Sequence, residues 1–174
     1  MTVLRPADET EVKGAWMVAL NTQGPCALVL SRQSLPSLAP LTAYTSVQKG
    51  AYELVSQGSV VDVVLLATGS EVSLSLEVSK ALNDKGLSVC VVSFVSFELF
   101  ERQSDTYKQS VLGKTAKVWV SIEAQSSFGW HRYIGRHGLA IAQDTFGLSG
   151  KASQLASEFG FTVEAIVARI LDRI

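Results

Sequence analysis

The sequence predicts an α/β fold in three layers, α/β/α, around a mostly parallel sheet with an antiparallel edge strand. Three observations predict it. Apolar runs with little polar alternation, such as Val60–Ala67 (VVDVVLLA) and Leu87–Phe94, read as strands buried on both faces. Between such runs lie stretches with apolar residues at helical spacing, as at Leu74, Val78, Ala81 and Leu82. One strand candidate, Ala51–Val55, leads into the next strand with no helix between, as an antiparallel edge strand does. Strands that alternate with helices build a parallel sheet covered on both faces.

The elements follow in order. Val3 and Leu4 end a strand, and Pro6 and Ala7 break it. Asp8 is placed to cap a helix, with Glu11 three residues on as in a capping box. Val12, Ala15, Trp16, Ala19 and Leu20 give that helix one apolar face, and Gly24-Pro25 ends it. Cys26–Leu30 then reads as a buried strand with Ser31 and Arg32 at its exit. This strand–helix–strand unit has no neighbours of its own and is expected to be the tail of a larger α/β domain. Residues 34–45, SLPSLAPLTAYT, read as a linker. Beyond it come the strands Ala51–Val55 and Val60–Ala67 and the turn Thr68-Gly69-Ser70-Glu71, with Ser70 as N-cap. A helix stopped by Gly86, the strand Leu87–Phe94 and a helical stretch from Phe97 to Val111 follow. Strand Lys117–Ile122, helix Gln125–Gly138 and a short strand Leu139–Gln143 come next, then two closing helices, Ala152–Phe159 and Val163–Ile174. In the last of these Val163, Ile166, Val167, Ile170, Leu171 and Ile174 share a face. Residues 46–174 hold a complete alternation and are expected to fold without residues 1–45.

Composition narrows the function. The 174 residues are 47% hydrophobic and 18% charged, which suits a packed domain and not a disordered one. Fifteen basic and 16 acidic residues leave a net charge of −1, without the basic excess of a nucleic-acid binder. No apolar run reaches the roughly 18 residues a membrane span needs. The N-terminus lacks the basic and apolar regions of a signal peptide. Cys26 and Cys90 sit in apolar runs, as buried free thiols do, and a cytoplasmic setting is expected.

Few residues point to chemistry. Thr68-Gly69-Ser70-Glu71 could offer backbone N–H groups to a phosphate, but it has one glycine and no lysine, and Glu71 would repel an anion. Glu123, at a strand end, has the chemistry of a general base but no partner at a telling spacing. His131 and His137 are the only histidines. His137 shares a helical face with Trp130, Tyr133 and Ile134 and reads as a packed residue, and neither histidine has further metal ligands nearby. Trp119 and Trp130 read as core anchors. Arg5, Lys13, Arg102 and Lys108 read as solvated. Arg32 follows an apolar run, at the strand end where open α/β sheets bind ligands.

Four stretches, in order, resemble the C-terminal portion of transketolases: VLRPADETEVKGAW, GPCALVLSRQSLP, LLATGSEVSLSLEVSKAL and DTFGLSGKASQLASEFGFTVEAIV. One departure is Lys151, where that family often has a proline. The resemblance implies that residues 1–45 are the tail of a pyrimidine-binding domain plus linker and residues 46–174 a C-terminal domain. It implies a parent enzyme that moves a two-carbon ketol unit from a ketose phosphate to an aldose phosphate, in the pentose phosphate pathway. That parent would use thiamine diphosphate and Mg and act as a homodimer, with sugar phosphates and the remaining transketolase domains as partners. Nucleic acid and membrane are not expected partners. The family's Gly-Asp-Gly metal motif is absent, and its activating glutamate belongs upstream, so the isolated chain is expected to be inactive, with no cofactor bound. Arg32 matches the arginine of the family's Ser-Arg-Gln segment, which holds the substrate phosphate; Ser31 and Gln33 match without an assigned role. The alternatives are a stand-alone binding or dimerisation module of a thiamine-dependent enzyme, or a fragment of a related enzyme such as dihydroxyacetone synthase.

Overall fold

A computed structural model describes residues 1–174. Two sheets organise it. The smaller pairs β1 (Thr2–Leu4) with β2 (Cys26–Leu28) in parallel, joined by α1 (Glu9–Asn21). The larger has the order β3-β5-β4-β6-β7, with β3 Ala51–Val55, β4 Val60–Ala67, β5 Val89–Phe94, β6 Thr115–Glu123 and β7 Leu139–Ala142. All its pairings are parallel except β3 with β5, so the expected antiparallel edge is present. A 3₁₀ turn, Val47–Lys49, leads into β3.

Both faces of the larger sheet are covered. On one face α2 (Glu71–Asn83) and α7 (Val163–Leu171) bury Val72, Val78, Leu82, Ile166 and Ile170 against Val63, Leu65 and Val120. On the other, α3 (Phe97–Glu101), α4 (Asp105–Leu112) and α5 (His131–Ile134) bury Phe100, Val111 and Trp130 against Val64, Leu66 and Phe94. Phe94 meets Phe100 and Trp130 edge-on, at 4.9 and 5.6 Å. The remaining helix, α6 (Ala152–Glu158), buries no side chain.

Several elements depart from the sequence reading. The stretch Phe97–Val111 is two helices, because Ser104 caps the second through its hydroxyl and Tyr107 N. Residues 125–138 hold a single turn of helix; Gly129 and Gly135, both at positive φ, bound it. Trp130 is buried as expected, whereas Trp119 is only half-buried. Ser70 makes no cap bond; its hydroxyl turns to the Glu71 side chain. In α7, Ile166, Val167 and Ile170 are buried, but Leu171 is exposed, and the helix ends before Ile174, which is exposed as well.

The first helix buries only part of the face its apolar pattern marks: Ala15 is in the core and Ala19 packs against it, but the large residues Trp16 and Leu20 are outside. Trp16 and Leu20 are 54% and 79% exposed, while Glu11, Gly14 and Ala15 are buried. The small residues decide this. A Cβ on Gly14 would stand 2.4 Å from the Tyr44 carbonyl oxygen and 2.6 Å from Val47, so only glycine lets the helix approach the turn before β3. Likewise β2 is not a doubly buried strand. It has one neighbour, stops at Leu28, and leaves Val29 and Leu30 exposed.

The core crosses the expected boundary at residues 45–46. Leu4, Ala7 and Ala15 belong to the same apolar cluster as Leu65, Val91 and Ile122. Residues 34–45 are tied down rather than free: Asp8 Oδ2 accepts from Leu38 N at 3.1 Å and from the Thr42 hydroxyl at 2.7 Å. The expected independence of residues 46–174 therefore conflicts with the packing. Deleting residues 1–45 should leave a chain that unfolds at a distinctly lower urea concentration than the whole, or does not fold. Equal midpoints would refute the shared core.

Candidate functional site

The chemistry of an open parallel sheet is decided where successive crossovers leave for opposite faces. Here α2 leaves β4 on one face and α5 leaves β6 on the other, so the switch point lies between the ends of β4 and β6. Thr68 follows β4 and Glu123 ends β6. Neither waits there for a diffusible ligand. Arg5, just past β1, inserts its guanidinium between them: Nη1 donates to Thr68 Oγ1 at 2.6 Å and to Glu123 Oε1 at 2.5 Å, and Nη2 donates to Glu71 Oε2 at 2.8 Å. The Arg5 backbone is held too, donating to Val95 O at 2.9 Å and accepting from Gly69 N at 3.2 Å. Gly69, at φ 53°, leaves room for this; a Cβ there would lie 2.9 Å from Arg5 Nε.

Every carboxylate in the cluster has further donors. Thr68 donates its hydroxyl to Glu123 Oε1 at 2.8 Å, Trp130 Nε1 donates to Glu123 Oε2 at 2.5 Å, and Ser70 donates to Glu71 Oε1 at 2.7 Å. The Thr68–Glu71 turn thus receives a cation, as the acidity of Glu71 requires, and not a phosphate. Glu123 is a structural acceptor rather than a free base. Arg5, read from sequence as solvated, is the residue that reading missed. The signal was present: Val3-Leu4-Arg5 places a charge after an apolar strand, as the run before Arg32 does.

A second buried acid, Glu11, pins α1 to the same sheet. Its Oε1 accepts from the Ser93 hydroxyl at 2.6 Å and the Tyr52 hydroxyl at 2.7 Å, and its Oε2 from Ala7 N at 2.7 Å. In the expected capping box, Asp8 does accept from Glu11 N, at 2.9 Å, but Glu11 reaches Ala7 N and the sheet. Burial pushes the Glu11 carboxyl above its ordinary value, against the lowering effect of its hydrogen bonds. Burial and the Glu11 carboxylate push Tyr52 up as well.

Arg32 lies four residues beyond the end of β2, exposed, and in none of the seven ion pairs. Its neighbours Ser31 and Gln33 line a hollow of about 250 Å³ with Pro6, Asp8 and Val12 at the start of α1. A larger cavity, about 340 Å³, lies between the two sheets and is walled by Val3, Arg5, Phe97, Glu98, Glu123 and Phe128. His137 is exposed and outside α5, so the packed position expected for it is not found. His131 is exposed, beside Asp144, whose carboxyl the Ser127 backbone N–H holds below its usual value. Cys26 and Cys90 are unpaired, and burial pushes the Cys90 thiol up to about 11. No three His, Cys, Asp or Glu side chains converge as the donors of a metal ion would. No helix is long and apolar enough to cross a membrane.

The arrangement is that of an open α/β domain whose strand-end crevice is entered by an arginine of its own chain. Comparisons with known proteins say which domain. Residues 50–162 match the model of the transketolase-like C-terminal domain, and the chain belongs to that family. It is 48% identical to the chloroplastic transketolase of Spinacia oleracea over 95% of its own length and 22% of that protein. It is 45% identical to the transketolase of Halalkalibacterium halodurans over 97% of its length and 26% of that protein. A crystal structure of a Pichia stipitis transketolase variant in complex with fructose 6-phosphate superposes with a TM-score of 0.91 at 37% identity, covering 99% of this chain and 25% of that one. The chain therefore spans about a quarter of the length of these relatives.

Two measurements test the buried groups. Replacing Arg5 by Ala strands Glu71 and Glu123 without their cation and should cost about 3–5 kcal/mol in urea unfolding; a loss below about 1 kcal/mol would mean the carboxylates find water. For Glu11, a folded pKa above the unfolded one means that the folded state holds the proton more tightly. Its contribution is complete below the unfolded value, about 4.3, and declines as pH rises through the folded value. The stability difference between the wild type and Glu11→Gln should therefore move against the wild type over that window. A flat difference would show that Glu11 titrates normally.

Proposed function

We propose that the chain is the phosphate-binding end of a transketolase: the parent moves a two-carbon ketol unit between sugar phosphates, and Arg32 holds the substrate phosphate. The observation that carries this reading is the state of Arg32. Its guanidinium has no protein partner, and it lies in the Ser-Arg-Gln segment within a chain 48% identical to a transketolase. A guanidinium offers two parallel N–H groups to a phosphate, and the bonds are charge-assisted. Thiamine diphosphate and a divalent metal belong to the remaining domains in this reading, because the resemblance assigns the metal motif and the activating glutamate to those domains. Those domains would cover the exposed Trp16 and Leu20 face of α1 and pair with the open edge of β2. The parent acts as a homodimer, as the resemblance implies. The free thiols fit a reducing compartment such as the cytoplasm.

The test uses a chimera in which this chain replaces the matching quarter of the spinach enzyme. Arg32→Ala should raise KM for fructose 6-phosphate more than it lowers kcat, because the phosphate lies away from the reacting carbonyl. Loss of a charge-assisted bond, about 1.5–3 kcal/mol, predicts a fall of roughly one to two orders of magnitude in kcat/KM. Arg32→Lys should recover part of it. A non-phosphorylated donor and acceptor pair should be spared; an equal loss there makes Arg32 structural. The isolated chain should show no ketol transfer and no calorimetric response to thiamine diphosphate with Mg, and micromolar binding would contradict the fragment reading.

A further inference from the structure

We infer that Arg5 is a positioning residue for Arg32, and that the five-stranded domain serves as the frame that sets where the phosphate-holding guanidinium stands. The inference rests on the reading of Arg32 given above. Arg32 makes no side-chain hydrogen bond or ion pair that could place it, so the backbone around it must. That backbone is tied at both ends to one short stretch, residues 4–9. Upstream, Val29 N donates to the Leu4 carbonyl at 2.8 Å, extending the β1–β2 ladder by one bond. Downstream, Leu38 N and the Thr42 hydroxyl donate to Asp8, and the Ser37 hydroxyl donates to Glu9 Oε1 at 2.6 Å. Between these anchors the chain carries Arg32 with no other hydrogen bond to hold it.

The stretch 4–9 is in turn held by the larger sheet at its two flanks. Glu11 bonds to Ser93 of β5 and Tyr52 of β3. Arg5 bonds to Thr68, Glu71 and Glu123 and is adjacent in sequence to Leu4, whose carbonyl anchors Val29. A displacement at Arg5 therefore moves the upstream anchor of Arg32 directly. A bidentate guanidinium–phosphate pair depends on orientation, so a small shift of the anchor weakens it without touching the reacting atoms. The switch point gains a purpose in this account: it holds a cation from the segment that presents the substrate arginine.

The experiment again uses the chimera with the spinach enzyme. Arg5→Gln should raise KM for fructose 6-phosphate about tenfold, with kcat changed by less than about twofold. The non-phosphorylated pair should be unaffected. The double variant Arg5→Gln/Arg32→Ala should be no worse than Arg32→Ala alone, because a positioning residue has nothing left to position. Thr68→Val, which removes one Arg5 partner while keeping the side-chain shape, should give the same pattern with a smaller amplitude. In the 174-residue chain, hydrogen exchange at the Val29 and Leu38 amides should speed up in Thr68→Val while Val64 and Val91 keep their protection; this pair of measurements decides the matter if Arg5→Gln does not fold. Equal losses on phosphorylated and non-phosphorylated substrates, additive effects in the double variant, or unchanged exchange at Val29 would overturn the inference. If Arg32→Ala is phosphate-selective and neither Arg5→Gln nor Thr68→Val is, this inference fails and the proposed function stands. If Arg32→Ala itself lacks selectivity, the proposed function fails first.

Discussion

The guanidinium of Arg5 enters the crevice between the ends of β4 and β6 and meets two carboxylates there, Glu71 and Glu123, with side-chain exposures of 10% and 9%. Taking such groups out of water is expensive, and their mutual attraction offsets the cost only when the geometry is good and the remaining lone pairs are satisfied. Both conditions hold. Thr68, Ser70 and Trp130 supply the extra donors, and no buried side-chain polar atom in the chain lacks a partner. The cluster joins three segments far apart in sequence: the exit of β1, the start of α2, and the end of β6 with Trp130 seven residues beyond it. Breaking it at any one member strands the others in a low-dielectric site, which makes the arrangement specific as well as stable.

The same cluster explains why this sheet has an occupied switch point. An open α/β sheet ordinarily offers the ends of its strands to a diffusible ligand. In this chain the ligand is covalently attached: β1 delivers it, and Pro6 follows at once, removing a backbone donor where none is needed. Glu11 repeats the logic six residues later, from the first turn of α1, with buried bonds to Ser93 of β5 and Tyr52 of β3. Together they dock a half-exposed strand–helix–strand unit against a complete domain, adding polar ties to the small apolar contact that Leu4, Ala7 and Ala15 make with the core while Trp16 and Leu20 stay outside.

That partial burial of α1 shows where sequence reasoning was sound and where it was not. Val60–Ala67, the antiparallel edge at Ala51–Val55 and the Ile166/Val167/Ile170 stripe were legible because burial on both sides of a sheet, or on one side of a helix, leaves a local pattern. The stripe Val12, Trp16 and Leu20 was equally legible as a pattern, yet it does not face this core. Periodicity reports that a face is apolar and is silent about which neighbour covers it. The Gln125–Gly138 helix failed for a different reason: Gly129 and Gly135 take positive φ and confine the helix to one turn.

The sequence by itself determined the layers, the strand types and the family, since these follow from short-range spacing and from motifs in a fixed order. It also set a charge after an apolar run at Arg32. The same mark stood at Arg5 and carried no weight, because its meaning depends on Glu71 and Glu123, 66 and 118 residues away in sequence. Only the tertiary structure brings those carboxylates to one guanidinium, ties Val29 and Leu38 to residues 4–8, and turns Glu11 into the buried floor of α1. Hydrogen bonds and ion pairs act over a few ångströms in space, and a linear pattern holds no record of which distant groups the sheet will place within that reach.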